Sequence, residues 1–332
     1  MKAIVYRNYG SPDVLKCEEV EKPTAGDDEV LIKVRSASVN PLDWHFVRGI
    51  PYVLRMMAGV SKPKNTRPGV DLAGRVEVVG RNVTQFKPGD EVFGTGRGAF
   101  AEYSCAHENK LALKPARLTF EQAAAVPVAG ITALQGLRDK GGLQPGQKVL
   151  INGAAGGVGT FAVQIAKSFG ADVTGVCSTR NLDMVYSIGA DHVIDYTKED
   201  FTKSAQRYDL LFDNVGNRRL ADCIRVVVKK GILVMNGGGS LKENEGQWLG
   251  PLVGSLSALV SSPFVSQKLP SILASINSND LCVLKDLVDA GRVTPVIDRS
   301  YGLIDVPDAI RYLEEGHARG KVVITVGHNN ES

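Results

Sequence analysis

The sequence is poor in cysteine, and the five it has, Cys17, Cys105, Cys177, Cys223 and Cys282, lie far apart. They make neither a disulfide framework nor a thiolate metal site, which fits a reducing, cytoplasmic setting. Runs of Lys and Arg and basic–aromatic interleaving are also missing, and the formal net charge is only +3, so no nucleic-acid partner is indicated. The opening "MKAIVYRNYG" enters a strand-like run without the apolar segment of a signal peptide. One uncharged stretch, 246–267, needs a membrane check. It holds Pro251, Pro263, five serines and three glycines, too polar and broken for a spanning helix. Its Leu252, Val253, Leu256, Leu259 and Val260 share one helical stripe, open to core burial, a subunit contact such as a homodimer, a substrate-side lid or, without a basic face, reversible membrane-surface contact as the minor option.

What is present is an apolar content of 43% over 332 residues, enough for two domains. The first hundred or so residues are β-rich. "AIVY", "EVLIKVRSASV", "VDLAGRVEVVG" and "DEVFG" are β-branched runs divided by turn signals such as "GSPD" and "KPGD". From about 120 the texture alternates. "KVLIN", "DVTGVC", "HVIDY", "YDLLFDNVG" and "GILVMNGGG" read as strands, and the intervals read as helices, the pattern of βαβ units on a parallel sheet. After about 270 come helices around "NDLCVLKDLVDAG" and "DAIRYLEEG" and a last strand, "KVVITV".

"INGAAGGVGT", residues 151–160, follows a strand and opens a helix. Ala154, Gly156 and Gly159 overlay the dinucleotide fingerprint with its first glycine replaced, and Gly153 precedes them. Small residues here bring backbone N–H groups close to a pyrophosphate, and the helix N-terminus favours its charge. An NAD-binding fold places Asp or Glu about 20 residues further on, for the ribose 2′-hydroxyl. This chain has Cys177, Ser178, Thr179 and Arg180 there instead. An arginine flanked by hydroxyls suits a 2′-phosphate, so the expected cofactor is NADPH.

"INGAAGGVGTFAVQIAKSFGA", "GADHVIDYTKEDF" and "FDNVG" resemble the medium-chain dehydrogenase/reductase superfamily, in particular its zinc-independent quinone oxidoreductase branch. "SVNPLDW" (38–44), "GVDLAGRVEVVG" (69–80), "FKPGDEVFG" (86–94), "GAFAEY" (98–103), "VPVAGITA" (126–133) and "GHARGKVVI" (316–324) occur in the family's order, so the resemblance covers nearly the whole chain. It implies an α/β fold: a GroES-like β-rich catalytic domain, 1–122 and 271–332, with an inserted Rossmann domain, a doubly wound parallel sheet, at 123–270. Zinc members of the superfamily carry Cys where this chain has Asn40 and His-Glu where it has Val70-Asp71. Valine and a carboxamide do not assemble a tetrahedral zinc site, so no metal is expected.

Without a metal, the easier chemistry is hydride transfer to a polarised acceptor, a quinone or the β-carbon of an α,β-unsaturated carbonyl. The expected substrate is a small hydrophobic carbonyl or quinone. An enoyl-thioester reductase and a non-catalytic NADPH-binding protein are the alternatives. By resemblance Asn40 lies beside nicotinamide and substrate, although Asn before Pro41 is also turn chemistry, and Asp43 equally orients local backbone. Trp44 and His45 line the pocket or belong to the core, with His45 a candidate proton donor, and Tyr52 is the third candidate catalytic residue. The cofactor set comprises Thr132, Gly153, Ala154, Ala155, Gly156, Gly157, Val158, Gly159, Cys177, Ser178, Thr179, Arg180, Tyr196, Asn214, Gly216, Asn236, Gly237, Gly238 and Lys321. Of these, Thr132 is placed by resemblance on the phosphate side, Tyr196 at the adenine ribose and Lys321 closing over the cofactor.

Overall fold

The computed structural model describes residues 1–236 and 265–327. Gly237, Gly238 and most of the uncharged 246–267 stretch lie outside the described residues. None of the helices described is long and apolar enough to cross a membrane. The described chain forms two compact units, one of Met1–Ile131, Ile276–Ala290 and the segment from Pro295 on, the other of Thr132–Ser275 with Gly291–Thr294.

The first unit is built on a mixed sheet ordered Ile297–Gly302, Lys321–Thr325, Glu29–Val39, Asp71–Val79, Glu91–Thr95, Leu111–Leu113, with Tyr103–His107 against Glu29–Val39. Glu29–Val39 is long enough to serve three neighbours. Its first half pairs with Tyr103–His107, its second half with Lys321–Thr325, and its other edge with Asp71–Val79, all antiparallel. Alternate burial turns to continuous burial over Ser36–Val39, where both faces are covered. Ile4, Ile32, Leu72, Phe100 and Ile324 are among its core residues. Two helices interrupt the β-rich first hundred residues, Pro41–Arg48 and Val53–Ala58. The first starts because Asn40 is extended and Pro41 needs no N–H partner, while the Asp43 carboxylate accepts the Asn40 N–H at 2.8 Å.

The second unit is a parallel sheet ordered His192–Asp195, Asp172–Cys177, Lys148–Asn152, Tyr208–Asp213, Val227–Met235. The chain begins at the centre, winds two strands outward, then returns and winds two more the other way. That reversal is the doubly wound pattern, and its switch point lies between Lys148–Asn152 and Tyr208–Asp213. Lys268 and Ser271 extend the sheet beyond Val227–Met235 by two parallel bridges. The helix Gly157–Ser168, whose apolar spacing was legible, buries Phe161, Ala162, Val163, Ile165 and Ala166. The expected fold class, a GroES-like sheet domain with a Rossmann-type domain inserted, is the observed one.

Candidate active site

Register in the first unit assembles a buried polar cluster. Val322 pairs with Val39 in antiparallel register, so Lys321 falls opposite Asn40; Ser38 pairs with Asp71 on the other edge. Lys321, Asn40 and Asp71 are 3%, 2% and 0% exposed. The Lys321 ammonium donates to Asn40 Oδ1 at 2.6 Å, the Val39 carbonyl at 3.3 Å and Asp71 Oδ2 at 3.4 Å. Asp71 Oδ2 also accepts from Ser38 Oγ and Asn40 Nδ2, each at 2.9 Å, and Oδ1 accepts from the Val128 N–H at 3.1 Å. Burial pushes the Asp71 carboxyl up and the Lys321 ammonium down, and each opposes the other's shift. Every acceptor in the cluster meets a donor, which is the hydrogen-bond pattern of a charged pair. Lys321 is thus held within this cluster by Asn40 and Asp71.

Asp43 sits at the edge of the same cluster, and burial raises its carboxyl to about 7 against the bond from the Asn40 N–H. A carboxyl at about 7 when folded and about 3.9 when unfolded binds a proton on folding throughout that interval. Its contribution is complete below about pH 4 and is lost as pH rises through about 7. Denaturation midpoints between pH 4.5 and 8 are therefore expected to fall more steeply in the native protein than in Asp43→Asn. Parallel slopes would show that Asp43 does not titrate there.

His45 and Tyr52 follow on the same stretch of chain. His45 stacks on Trp44 with ring centroids 3.7 Å apart, and its Nδ1 lies 2.8 Å from the Ile50 carbonyl. A carbonyl only accepts, so Nδ1 carries the proton and Nε2 is left as an acceptor. Burial lowers the imidazole's affinity for a second proton. At neutral pH His45 therefore offers an acceptor where a proton donor was expected. Arg55 lies between the rings of Tyr9 and Tyr52, at 4.5 and 4.7 Å, and donates to the Gly49 carbonyl at 2.9 Å. This clamp fixes Val53–Ala58 with Met56 and Met57 turned outward, 75% and 80% exposed.

In the second unit the glycine loop leaves Lys148–Asn152 at the sheet's carboxyl edge. Gly153 takes a φ of +79°, which residues with a side chain rarely adopt, and a Cβ on Gly159 would lie 2.0 Å from the Gly153 carbonyl oxygen. The helix packs directly on the loop, with Ala154 and Ala155 buried and Gly156, Gly157 and Val158 half-buried at its start. A Cβ on Gly156 would meet only the Gly153 oxygen, at 3.5 Å. The first-turn N–H groups and this close backbone suit a pyrophosphate. Thr132 is buried in Pro127–Gln135.

Cys177 ends the next strand, buried, and Ser178 leads into the turn Thr179–Asn181. Ser178 is half-buried, and Thr179, Arg180 and Tyr196 are exposed. Ser178 Oγ accepts from Asn181 Nδ2 at 3.2 Å, which leaves its proton to donate. The Thr179 hydroxyl points inward: it donates to Asp195 Oδ2 at 2.5 Å. At the switch point, Asp213 accepts from Asn152 Nδ2 at 2.8 Å and from the Val215 and Gly216 N–H groups at 3.0 and 2.9 Å. Asn214 accepts from Asn236 Nδ2 at 2.8 Å, so the expected Asn214, Gly216 and Asn236 share one network at the strand ends.

Residues 26–116 match the family described as "Alcohol dehydrogenase GroES-like domain" and residues 188–324 that described as "Zinc-binding dehydrogenase". The chain is 38% identical to 2-methylene-furan-3-one reductase of Solanum lycopersicum, over 98% of this chain and 79% of that one. It belongs to the medium-chain dehydrogenase/reductase superfamily. This oxidoreductase is also 35% identical to the chloroplastic NADPH-dependent alkenal/one oxidoreductase of Arabidopsis thaliana, over 98% and 79% of the two chains. The structure of the quinone oxidoreductase from Coxiella burnetii superposes with a TM-score of 0.85 at 29% identity, covering 98% of this chain and 99% of that one. A nicotinamide cofactor follows from membership, and the glycine loop fits one.

Sequence reasoning missed two members of the oxidoreductase's polar machinery. Asp71 entered the sequence analysis only as a position in the zinc comparison, and its bonds to both Asn40 and Lys321 were not foreseen. Asp195 went unweighed because the fingerprint counts along the chain, whereas this carboxylate reaches Thr179 from the neighbouring strand.

Proposed function

We propose that the protein is an NADPH-dependent, zinc-independent reductase that delivers hydride to a quinone or to the β-carbon of an α,β-unsaturated carbonyl. The observation that carries this reading is the buried Asn40–Asp71–Lys321 cluster. Asn40 and Asp71 stand where zinc members have metal-site residues, and here their oxygens are bonded to an ammonium. The donor set is one amide oxygen and one paired carboxylate, which does not fit zinc. An acceptor that is already polarised needs no Lewis acid.

A bound nicotinamide supplies the hydride. The chain's own part is to hold and orient: the loop Gly153–Gly159 takes the pyrophosphate, and Ser178 and Arg180 take the 2′-phosphate. Asn40, with its amide fixed by Lys321 and Asp71, and neutral His45 flank the reacting end, with Tyr52 on the adjoining clamp. The domains divide this work, 123–270 binding cofactor and 1–122 with 271–332 binding the acceptor. A cytoplasmic homodimer is part of the proposal, with light scattering on the eluting protein as the check on assembly.

Purified protein with NADPH is expected to reduce at least one member of a panel of quinones, alkenals and enones, unaffected by chelator. Tight NADPH binding with no oxidation across the panel would overturn the enzyme reading. Arg180→Ala is expected to weaken NADPH about 10- to 100-fold, the worth of a charge-assisted phosphate contact, with little change for NADH. Equal losses for the two cofactors would refute the 2′-phosphate assignment.

A further inference from the structure

Asp195 places a carboxylate at the very edge of the sheet where the cofactor's ribose is expected. It closes the strand His192–Asp195 in register with Cys177, so it stands beside the turn that begins at Ser178. Its oxygens are occupied from within the protein. Oδ1 accepts the Thr197 N–H at 3.0 Å and the Thr197 hydroxyl at 2.7 Å; Oδ2 accepts the Thr179 hydroxyl at 2.5 Å, with Lys198 Nζ at 3.6 Å. The Thr179 bond, with those from Thr197, holds the carboxyl down at about 2, so the group is charged. The Thr179 and Thr197 hydroxyls lie 2.9 Å apart, and each has given its single proton to Asp195.

Two consequences follow from proton counting. Thr179 has no proton left for a phosphate oxygen, so it is not itself a ligand of the 2′-phosphate. Asp195, meanwhile, is the acid that a ribose diol would use, kept from doing so by Thr179. A bare carboxylate at this edge would repel a dianion and accept a ribose hydroxyl, the usual arrangement for NADH.

We propose that Thr179 is a specificity-determining residue, which secures preference for a 2′-phosphorylated dinucleotide by capping Asp195. This rests on the NADPH reading above. Because Thr179 meets Asp195 Oδ2 from the Ser178–Asn181 turn, removing it uncovers Oδ2 on that side.

The test measures dissociation constants of the full-length protein for NADPH and NADH by cofactor fluorescence. Thr179→Ala is expected to lower the NADPH-over-NADH affinity ratio about 10-fold, roughly 1.4 kcal/mol. Thr179→Ser, which keeps the hydroxyl, should retain the native ratio, and Thr179→Ala/Asp195→Asn should restore it, because the charge to be capped is gone. An unchanged ratio in Thr179→Ala, a serine variant that behaves like alanine, or a double variant that stays shifted would each overturn the proposal. Thr179→Val carries the same test if the alanine variant does not fold. If Arg180→Ala proves selective while Thr179→Ala does not, this inference fails and the NADPH reading stands. If Arg180→Ala weakens both cofactors equally, the NADPH reading itself fails.

Discussion

Replacing Lys321 by methionine is expected to cost about 3–5 kcal/mol of folding stability, the range for breaking a buried ion pair from one side. The loss comes from what stays behind. Asp71 is 0% exposed, and without the ammonium its charge keeps only the Ser38, Asn40 and Val128 donors. Asn40 Oδ1 loses its 2.6 Å donor as well, so that amide is no longer held in one orientation. Adding Asp71→Asn removes the stranded charge and should return at least half of the loss, measured by urea denaturation at neutral pH. Strictly additive losses would show that the two residues are not coupled, and a Lys321→Met variant as stable as the native protein would remove the ion pair from the argument.

The glycine loop separates two kinds of damage. Gly159→Ala is expected to disturb the protein itself, because the new Cβ meets the Gly153 oxygen at 2.0 Å and Ala154 backbone at 2.8 Å. Neither is a side chain that can swing aside. Overpacking of this kind costs about 1–3 kcal/mol, and the distorted loop should bind NADPH at least about 100-fold more weakly. Gly156→Ala differs, since the protein leaves room for its Cβ at 3.5 Å from the nearest atom and its φ is −82°. That variant should melt at the native temperature and still lose NADPH affinity about 10-fold or more, because the fingerprint's second glycine lets the backbone approach the pyrophosphate. Calorimetric melting with fluorescence titration checks both. Native affinity in Gly156→Ala would show that the pyrophosphate does not lie against that residue.

The cofactor half of the site was the more legible because its signals are local. A strand, a glycine loop and a helix within "KVLINGAAGGVGTFAVQIAKS" carry the cradle, and "CSTRN" lies where the ribose partner is sought. Every residue needed for that inference is close in the chain, and each residue type is required by one backbone conformation or one ligand group. The helix Pro41–Arg48 was less legible, since "SVNPLDW" draws attention as a site motif and gives only a short amphipathic signal. Asn40 was found, but not its partners.

What the chain alone determined is therefore the texture of its two domains, the nature of the loop between strand and helix, and the presence of Asn40 and Val70-Asp71 in the motifs on which the zinc expectation turned. Tertiary structure decided the rest. Lys321 meets Asp71 across 250 residues because the second half of Glu29–Val39 takes Lys321–Thr325 on one edge and Asp71–Val79 on the other. Asp195 meets Thr179 because two parallel strands end at the same height. Register and sheet order convert distant residues into neighbours, and no periodicity or spacing in the sequence encodes which strand lies beside which. Those pairings give the Lys321 ammonium its three acceptors and turn the Thr179 hydroxyl toward the Asp195 carboxylate.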